Sequence, residues 1–140
     1  MSQILQGGSR TASCSCGALK VTARGEPVRV GMCHCFDCQQ RTGSVFGIQA
    51  WFPRESVTFT SGTPKIYVRT AESGRKIEFR FCPECGTTVW WEAEQRPELI
   101  GIAAGTFADT SLPLPGFSSF ERHRHAWTTH AGALALVHHE

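Results

Sequence analysis

The stretch Met32-Cys33-His34-Cys35-Phe36-Asp37-Cys38 packs three cysteines into a few positions, and the whole chain carries seven, an odd number. They form three clusters: Cys14-Ser15-Cys16-Gly17, then Cys33 to Cys38, then Cys82-Pro83-Glu84-Cys85-Gly86. Neither one disulfide nor one four-thiolate site accounts for the central three. In a reducing compartment, so many cysteines point to metal rather than to disulfides. A C-x-x-C-G turn at a strand end suits zinc, because two sulfurs bind one ion while backbone N–H groups, kept accessible by glycine, donate to them. Two such pairs complete a tetrahedron. Seven thiolates then divide into four and three: one closed structural site and one site with three protein ligands and an open position. Spacing alone leaves open which two pairs share the closed site. Joining Cys14 and Cys16 to Cys82 and Cys85 would tie the two ends of the β core together, across a loop long enough to gain much in closure entropy.

Turn signals alternate with short runs rich in β-branched and aromatic residues. Strands are expected at Ala18 to Ala23, Val45 to Phe52, Ser56 to Thr60, Lys65 to Thr70, Lys76 to Phe81, Thr87 to Trp91 and Leu99 to Thr106. The chain therefore reads as mainly β. Alternation is clearest where Ile77, Phe79 and Phe81 interleave with Lys76, Glu78 and Arg80, so that strand should have one dry and one wet face. A helical turn is expected only at about Phe36 to Thr42, and Leu112 to Phe117, with two prolines and a glycine, should be an irregular loop.

A chain of 140 residues with 41% hydrophobic content can bury one real core, so residues 1–140 are read as a single domain. The start MSQILQGGSR lacks a charged region followed by an apolar run, and no stretch approaches a membrane span. A soluble, cytoplasmic protein is expected. The net charge of +2 is scattered along the chain, with Glu121-Arg122-His123-Arg124-His125 as its one dense cationic patch. That predicts no nucleic-acid partner and no membrane partner.

At the cysteine motifs the sequence resembles a known family. C-x-C-G-A at Cys14 to Ala18, C-H-C-x-x-C followed by T-G-S at Cys33 to Ser44, and F-C-x-x-C-G at Phe81 to Gly86 are similar to the glutathione-dependent formaldehyde-activating enzymes, a family that includes centromere protein V. The similarity covers about residues 12–128. It implies a zinc-stabilised β-tent fold of small stacked antiparallel sheets, as in zinc-containing methionine sulfoxide reductases. It also implies two zinc ions per chain: a structural one on Cys14, Cys16, Cys82 and Cys85, and a catalytic one on Cys33, Cys35 and Cys38. Arg124 to Trp127 looks like the family's C-terminal strand. One departure concerns glutathione binding: many members have basic residues directly after the third central cysteine, where this chain has Gln39 and Gln40 before Arg41.

The implied activity is that of a carbon–sulfur lyase of the S-hydroxymethylglutathione synthase kind, acting on a glutathione–aldehyde adduct or a related small thiol or carbonyl compound. Three thiolates leave zinc with a net charge of about −1, a weak Lewis acid that can still keep a fourth thiolate deprotonated. Glutathione would also need cations, for which Arg41, Arg69 and Arg124 are candidates. The alternative is a zinc-stabilised binding module without turnover. A reductase of oxidised sulfur would need a reactive cysteine outside the zinc sites, and the four-plus-three division leaves none. A homodimer is compatible with the sequence. His34 should hydrogen-bond rather than ligate, since in an extended segment it points away from its cysteine neighbours. His123 and His125, alternating with arginines on an apparent strand, are not expected to reach the metal. Trp90 and Trp91 should be core and sheet-surface aromatics, and His138-His139 a frayed tail.

Overall fold

The computed structural model describes residues 8–128 and 137–140. In chain order its strands are β1 Ser9–Ser13, β2 Lys20–Arg24, β3 Arg29–Cys33, β4 Gly47–Pro53, β5 Val57–Ser61, β6 Lys65–Thr70, β7 Lys76–Phe81, β8 Thr88–Ala93, β9 Leu99–Ala103, β10 Phe117–Ser119 and β11 Val137–His138. Helix α1, Phe36–Thr42, lies between β3 and β4. The fold is mainly β and its strands form two sheets. One has the order β1-β2-β5; the other runs β11-β10-β3-β4-β9-β8-β7-β6. Neighbours pair antiparallel except that β10 runs parallel to both β3 and β11, which makes the larger sheet mixed. No described helix is long and apolar enough to cross a membrane.

Strands β6 and β7 and helix α1 lie where the residue pattern puts them. Strand β9 is shorter than expected, because the chain turns into a 3-10 helix at Ala104–Phe107. Two expectations for the C-terminal region do not hold. Arg124 to Trp127 is not a strand: Glu121–His123 form a 3-10 turn and residues 124–128 are irregular. His138 is not in a frayed tail either, since it pairs in β11 and its Nδ1 lies 2.7 Å from the Glu121 carboxylate.

The faces of the larger sheet follow from its register. Val30, Ala50, Ile102 and Trp90 are successive partners across β3, β4, β9 and β8, and all four are buried. They pack with Ala12, Val21, Ala23 and Val57 of the smaller sheet into the main core. Burying each larger aliphatic side chain stabilises the fold by about 1.5–3 kcal/mol. The opposite face carries a second row, Trp51, Gly101, Trp91 and Phe79, again successive partners. Trp51, Trp91 and Phe79 form a separate buried cluster backed by Ile77 and Leu99. The dry face expected for β7 is thus real, but it belongs to this second cluster. Trp90 and Trp91 point to opposite sides of the sheet, one into each cluster.

Gly101 makes the second row possible. A Cβ there would stand 2.2 Å from the Trp91 indole nitrogen, so the ring lies directly over a backbone without a side chain. Gly101→Ala is expected to lower stability by about 1–3 kcal/mol through overpacking, read as a drop in the urea midpoint with altered tryptophan fluorescence. An unchanged midpoint would mean that Trp91 does not depend on this gap.

Candidate metal centres and a cationic cleft

The cysteines gather into two sets. Sulfurs of Cys14, Cys16, Cys82 and Cys85 all lie within 4.8 Å of one another, as do those of Cys33, Cys35 and Cys38. All seven are free thiols. The Cys16 sulfur is 3.7 Å from those of both Cys14 and Cys82. That spacing fits the edge of a tetrahedron, which for zinc–sulfur bonds of about 2.3 Å is about 3.8 Å.

The four-cysteine set is built from two turns of one design. Leu19 N–H donates to the Cys14 sulfur at 3.2 Å, and Glu84 N–H to the Cys82 sulfur at 3.3 Å. Gly17 and Gly86 sit at φ 84° and 81°, left-handed values that a residue with a Cβ adopts at a cost. Thr87 links the turns: its hydroxyl donates to Ser15 Oγ and accepts from Ser15 N–H, both at 3.1 Å. It also lies 3.3 Å from the Cys85 sulfur, and its hydrogen bond is the largest influence pulling that thiol down to about 5. An exposed sulfur whose surroundings favour the thiolate suits metal ligation better than core packing.

The three-cysteine set joins the end of β3 to the start of α1. Cys33 closes the strand, Cys35 is the helix N-cap and accepts from Cys38 N–H at 3.3 Å, and Cys38 is buried in the first turn. Hydrogen bonds from Cys33 and then Cys38 draw Cys35 down to about 2, while the same Cys35 contact pushes Cys33 up. Three soft donors on one side of a cavity fit zinc, with room for an exogenous ligand.

These sulfurs line a cleft of about 300 Å³. Its floor is the row Trp51, Trp91 and Phe79. Guanidinium groups lie over the rings: Arg69 is 4.9 Å from the Phe79 centroid, Arg41 4.7 Å from that of Trp91, and Arg96 4.9 Å from that of Trp51. Arg41 and Arg69 are the cations nearest the sulfurs. Burial pulls the Arg41 guanidinium below its ordinary value, and the adjacent Cys38 acts in the opposite direction. Arg69 Nε lies 3.7 Å from Asp37 and helps hold Cys35 ionised.

Other candidates divide. Arg124 is not among the residues lining the cleft; its guanidinium turns back to the Thr128 carbonyl. Arg75, Lys76 and Arg96, which do line it, were missed. They come from the β6–β7 hairpin and the turn after β8, and nothing local in the sequence marks them as site residues. His34 is fully buried and lies 3.0 Å from Ser118 Oγ through Nε2, outside the sulfur set as expected. His123 stacks on Phe36 with centroids 4.0 Å apart, and His125 Nε2 donates to Gln39 Oε1 at 2.9 Å. Neither histidine belongs to a described metal-ligating group.

Protein produced with ample zinc should hold about two ions per chain, the one on Cys33, Cys35 and Cys38 leaving first under mild chelation, because three protein ligands hold less tightly than four. Elemental analysis before and after chelation measures this; a single resistant ion would remove the second centre.

The profile of the family described as "Glutathione-dependent formaldehyde-activating enzyme" matches residues 9–130. Fungal proteins provisionally named for that activity are similar over 96 residues: 25% identical in Fusarium vanettenii and 27% in Penicillium rubens. The aligned region is 69% of this chain but 50% and 49% of those proteins, so the chain spans about half the length of the curated relatives it matches. A Rhodobacter sphaeroides protein of known crystal structure shares the fold, with a TM-score of 0.55 and 18% identity over 74% of this chain and 90% of its own. With most of the chain under one family profile and its cysteines gathered in two sets, the protein belongs to the glutathione-dependent formaldehyde-activating enzyme family.

Proposed function

We propose that this chain activates a small thiol, glutathione or a relative, for addition to an aldehyde. It would act as a cytoplasmic carbon–sulfur lyase of the S-hydroxymethylglutathione synthase kind. One observation carries this reading: the three-cysteine set opens into a concave, cationic cleft, whereas none of Cys14, Cys16, Cys82 or Cys85 lines it. In this reading Cys33, Cys35 and Cys38 hold a catalytic zinc and the other four a structural one. A ligand position facing a concave, cationic cleft supports turnover of a small molecule over a binding module without turnover.

Zinc held by Cys33, Cys35 and Cys38 would supply a position that keeps an incoming thiol ionised near neutral pH. The protein's own side chains do the rest. Arg41 and Arg69 offset the charge of a fourth sulfur beside three others. The aromatic floor excludes water, which strengthens both charges. Addition forms a carbon–sulfur bond and breaks the carbonyl π bond, and the thiol proton ends on the former carbonyl oxygen. Atoms and electrons balance without an oxidant or reductant.

Loss of one sulfur should act differently in the two sets. Cys82→Ser should destabilise the fold by several kcal/mol, because structural zinc contributes folding free energy directly. Cys38→Ser should leave a folded protein with altered ligand binding. Thermal melts of both variants decide this, and an equal loss of stability in the two would make the division of roles wrong.

Glutathione should bind as its thiolate. Below a thiol pKa of about 8.5, its affinity should fall by up to about tenfold per pH unit as the proton competes for sulfur. S-methylglutathione, which cannot ionise there, should bind poorly at every pH. Calorimetry with both ligands measures the difference, and NMR exchange rates with formaldehyde, compared with the uncatalysed background, measure turnover. Equal affinity for the two ligands would sink the thiolate reading.

A further inference from the structure

The end of the cleft away from the cysteines carries charge that the activation step does not use. Arg75 and Arg96 line this region, and among the described residues neither has a carboxylate in ion-pair contact. Several other arginines are paired: Arg54 and Arg80 with Glu92, Arg122 with Glu72, and Arg10 with Glu26 and Asp109. Three acids lie near these cations, one of them Glu72, which also lines the cleft and pairs with Arg122. Glu94 accepts from the Lys76 backbone N–H at 2.6 Å, and Glu98 favours the charged form of Arg96. Burial and then the like charge of Arg29 pull Arg96 the other way. Its guanidinium is held in place by stacking on Trp51.

Register gives the distance from the sulfurs. Arg29 and Cys33 are four residues apart on β3, so both point to the cleft face of the sheet. At about 3.3 Å per residue their backbones are roughly 13 Å apart. Trp51, the platform for Arg96, is the cross-strand partner of Arg29. Arg96, over Trp51, therefore lies toward the end of β3 away from Cys33, whereas Arg69 and Arg41 act on Cys35 and Cys38.

We propose that Arg96, with Arg75, forms a carboxylate-recognition subsite, so that the cleft selects extended thiols whose carboxylate lies far from sulfur. This rests on the thiol-activating reading above. A peptide-sized thiol such as glutathione reaches both ends. N-acetylcysteine, whose carboxylate is three bonds from sulfur, reaches only the first.

The test uses zinc-loaded protein with Arg96→Gln and, as a variant at an exposed position that leaves the Trp51 stack intact, Arg75→Gln. Calorimetry compares glutathione, S-methylglutathione and N-acetylcysteine. Arg96→Gln should weaken glutathione about tenfold, the range for losing a charged hydrogen bond, and Arg75→Gln should weaken it less; N-acetylcysteine should be unchanged with both. Equal weakening of both thiols by Arg96→Gln, or no weakening of glutathione, overturns the subsite. Binding of N-acetylcysteine but not glutathione to the unsubstituted protein overturns it too, and leaves thiol activation standing. Equal affinity for glutathione and S-methylglutathione, both weakened by Arg96→Gln, has the reverse meaning: the subsite holds and thiolate activation fails.

Discussion

Two cysteine turns, far apart in the chain, meet where the two sheets of this fold come together. The turn after β1 and the turn after β7 come from opposite ends of the core, and Cys16 and Cys82, 66 residues apart, bring their sulfurs to 3.7 Å. Cys14 and Cys82 are buried in the main hydrophobic cluster, while Cys16 and Cys85 are exposed. The set is thus half core and half surface, and an ion there would fasten the small sheet to the large one where their edges part. A cross-link closing a loop of that length removes about 4 kcal/mol of unfolded-state entropy in the chain-entropy account. Strands β3 and β4 and helix α1 all lie inside that loop. An ion on the first cysteine set would therefore also restrain the segment that carries the second.

On the far face of the large sheet, a different balance operates. Three sulfurs in close contact repel as thiolates, and guanidinium groups beside them relieve that repulsion. Burying an arginine costs desolvation, but the aromatic rows return part of it: a guanidinium over a ring gains about 0.5–2 kcal/mol and loses little water, because it is weakly hydrated. Arg41 lies over Trp91 and Phe79 together, which fixes a side chain that would otherwise sweep the cleft. The tryptophans are therefore a platform for cations rather than a surface for substrate rings.

Much of this was legible in the chain. The cysteine spacings gave two sets of four and three, and the alternation in Lys76 to Phe81 gave a strand with one dry face. What escaped depends on partners distant in sequence. Ser9–Ser13 and Arg29–Cys33 lack a clear apolar alternation, yet both are strands: β1 pairs with β2, and β3 is held between β10 and β4. Arg10 looks like a surface residue but is buried, bonded to Glu26, Asp109 and the Ser111 carbonyl. The distal cations were missed for the same reason, since only the cross-strand register of Trp51 with Arg29 shows that Arg96 faces the same cavity as Cys33.

The glutamine that departs from the family pattern has a physical role. Gln39 Nε2 donates to the His34 carbonyl at 2.9 Å and to the His123 carbonyl at 3.1 Å, while Oε1 accepts from His125. One amide thus joins the cysteine loop to two points of the C-terminal segment. Lysine or arginine could supply the donors but has no acceptor for the imidazole N–H. A cation at position 39 would therefore undo the contact that holds the C-terminal segment beside the cysteine loop. Charge for an anionic ligand must then come from elsewhere, and Arg41, Arg69 and Arg96, each held on an aromatic ring, are where this chain puts it.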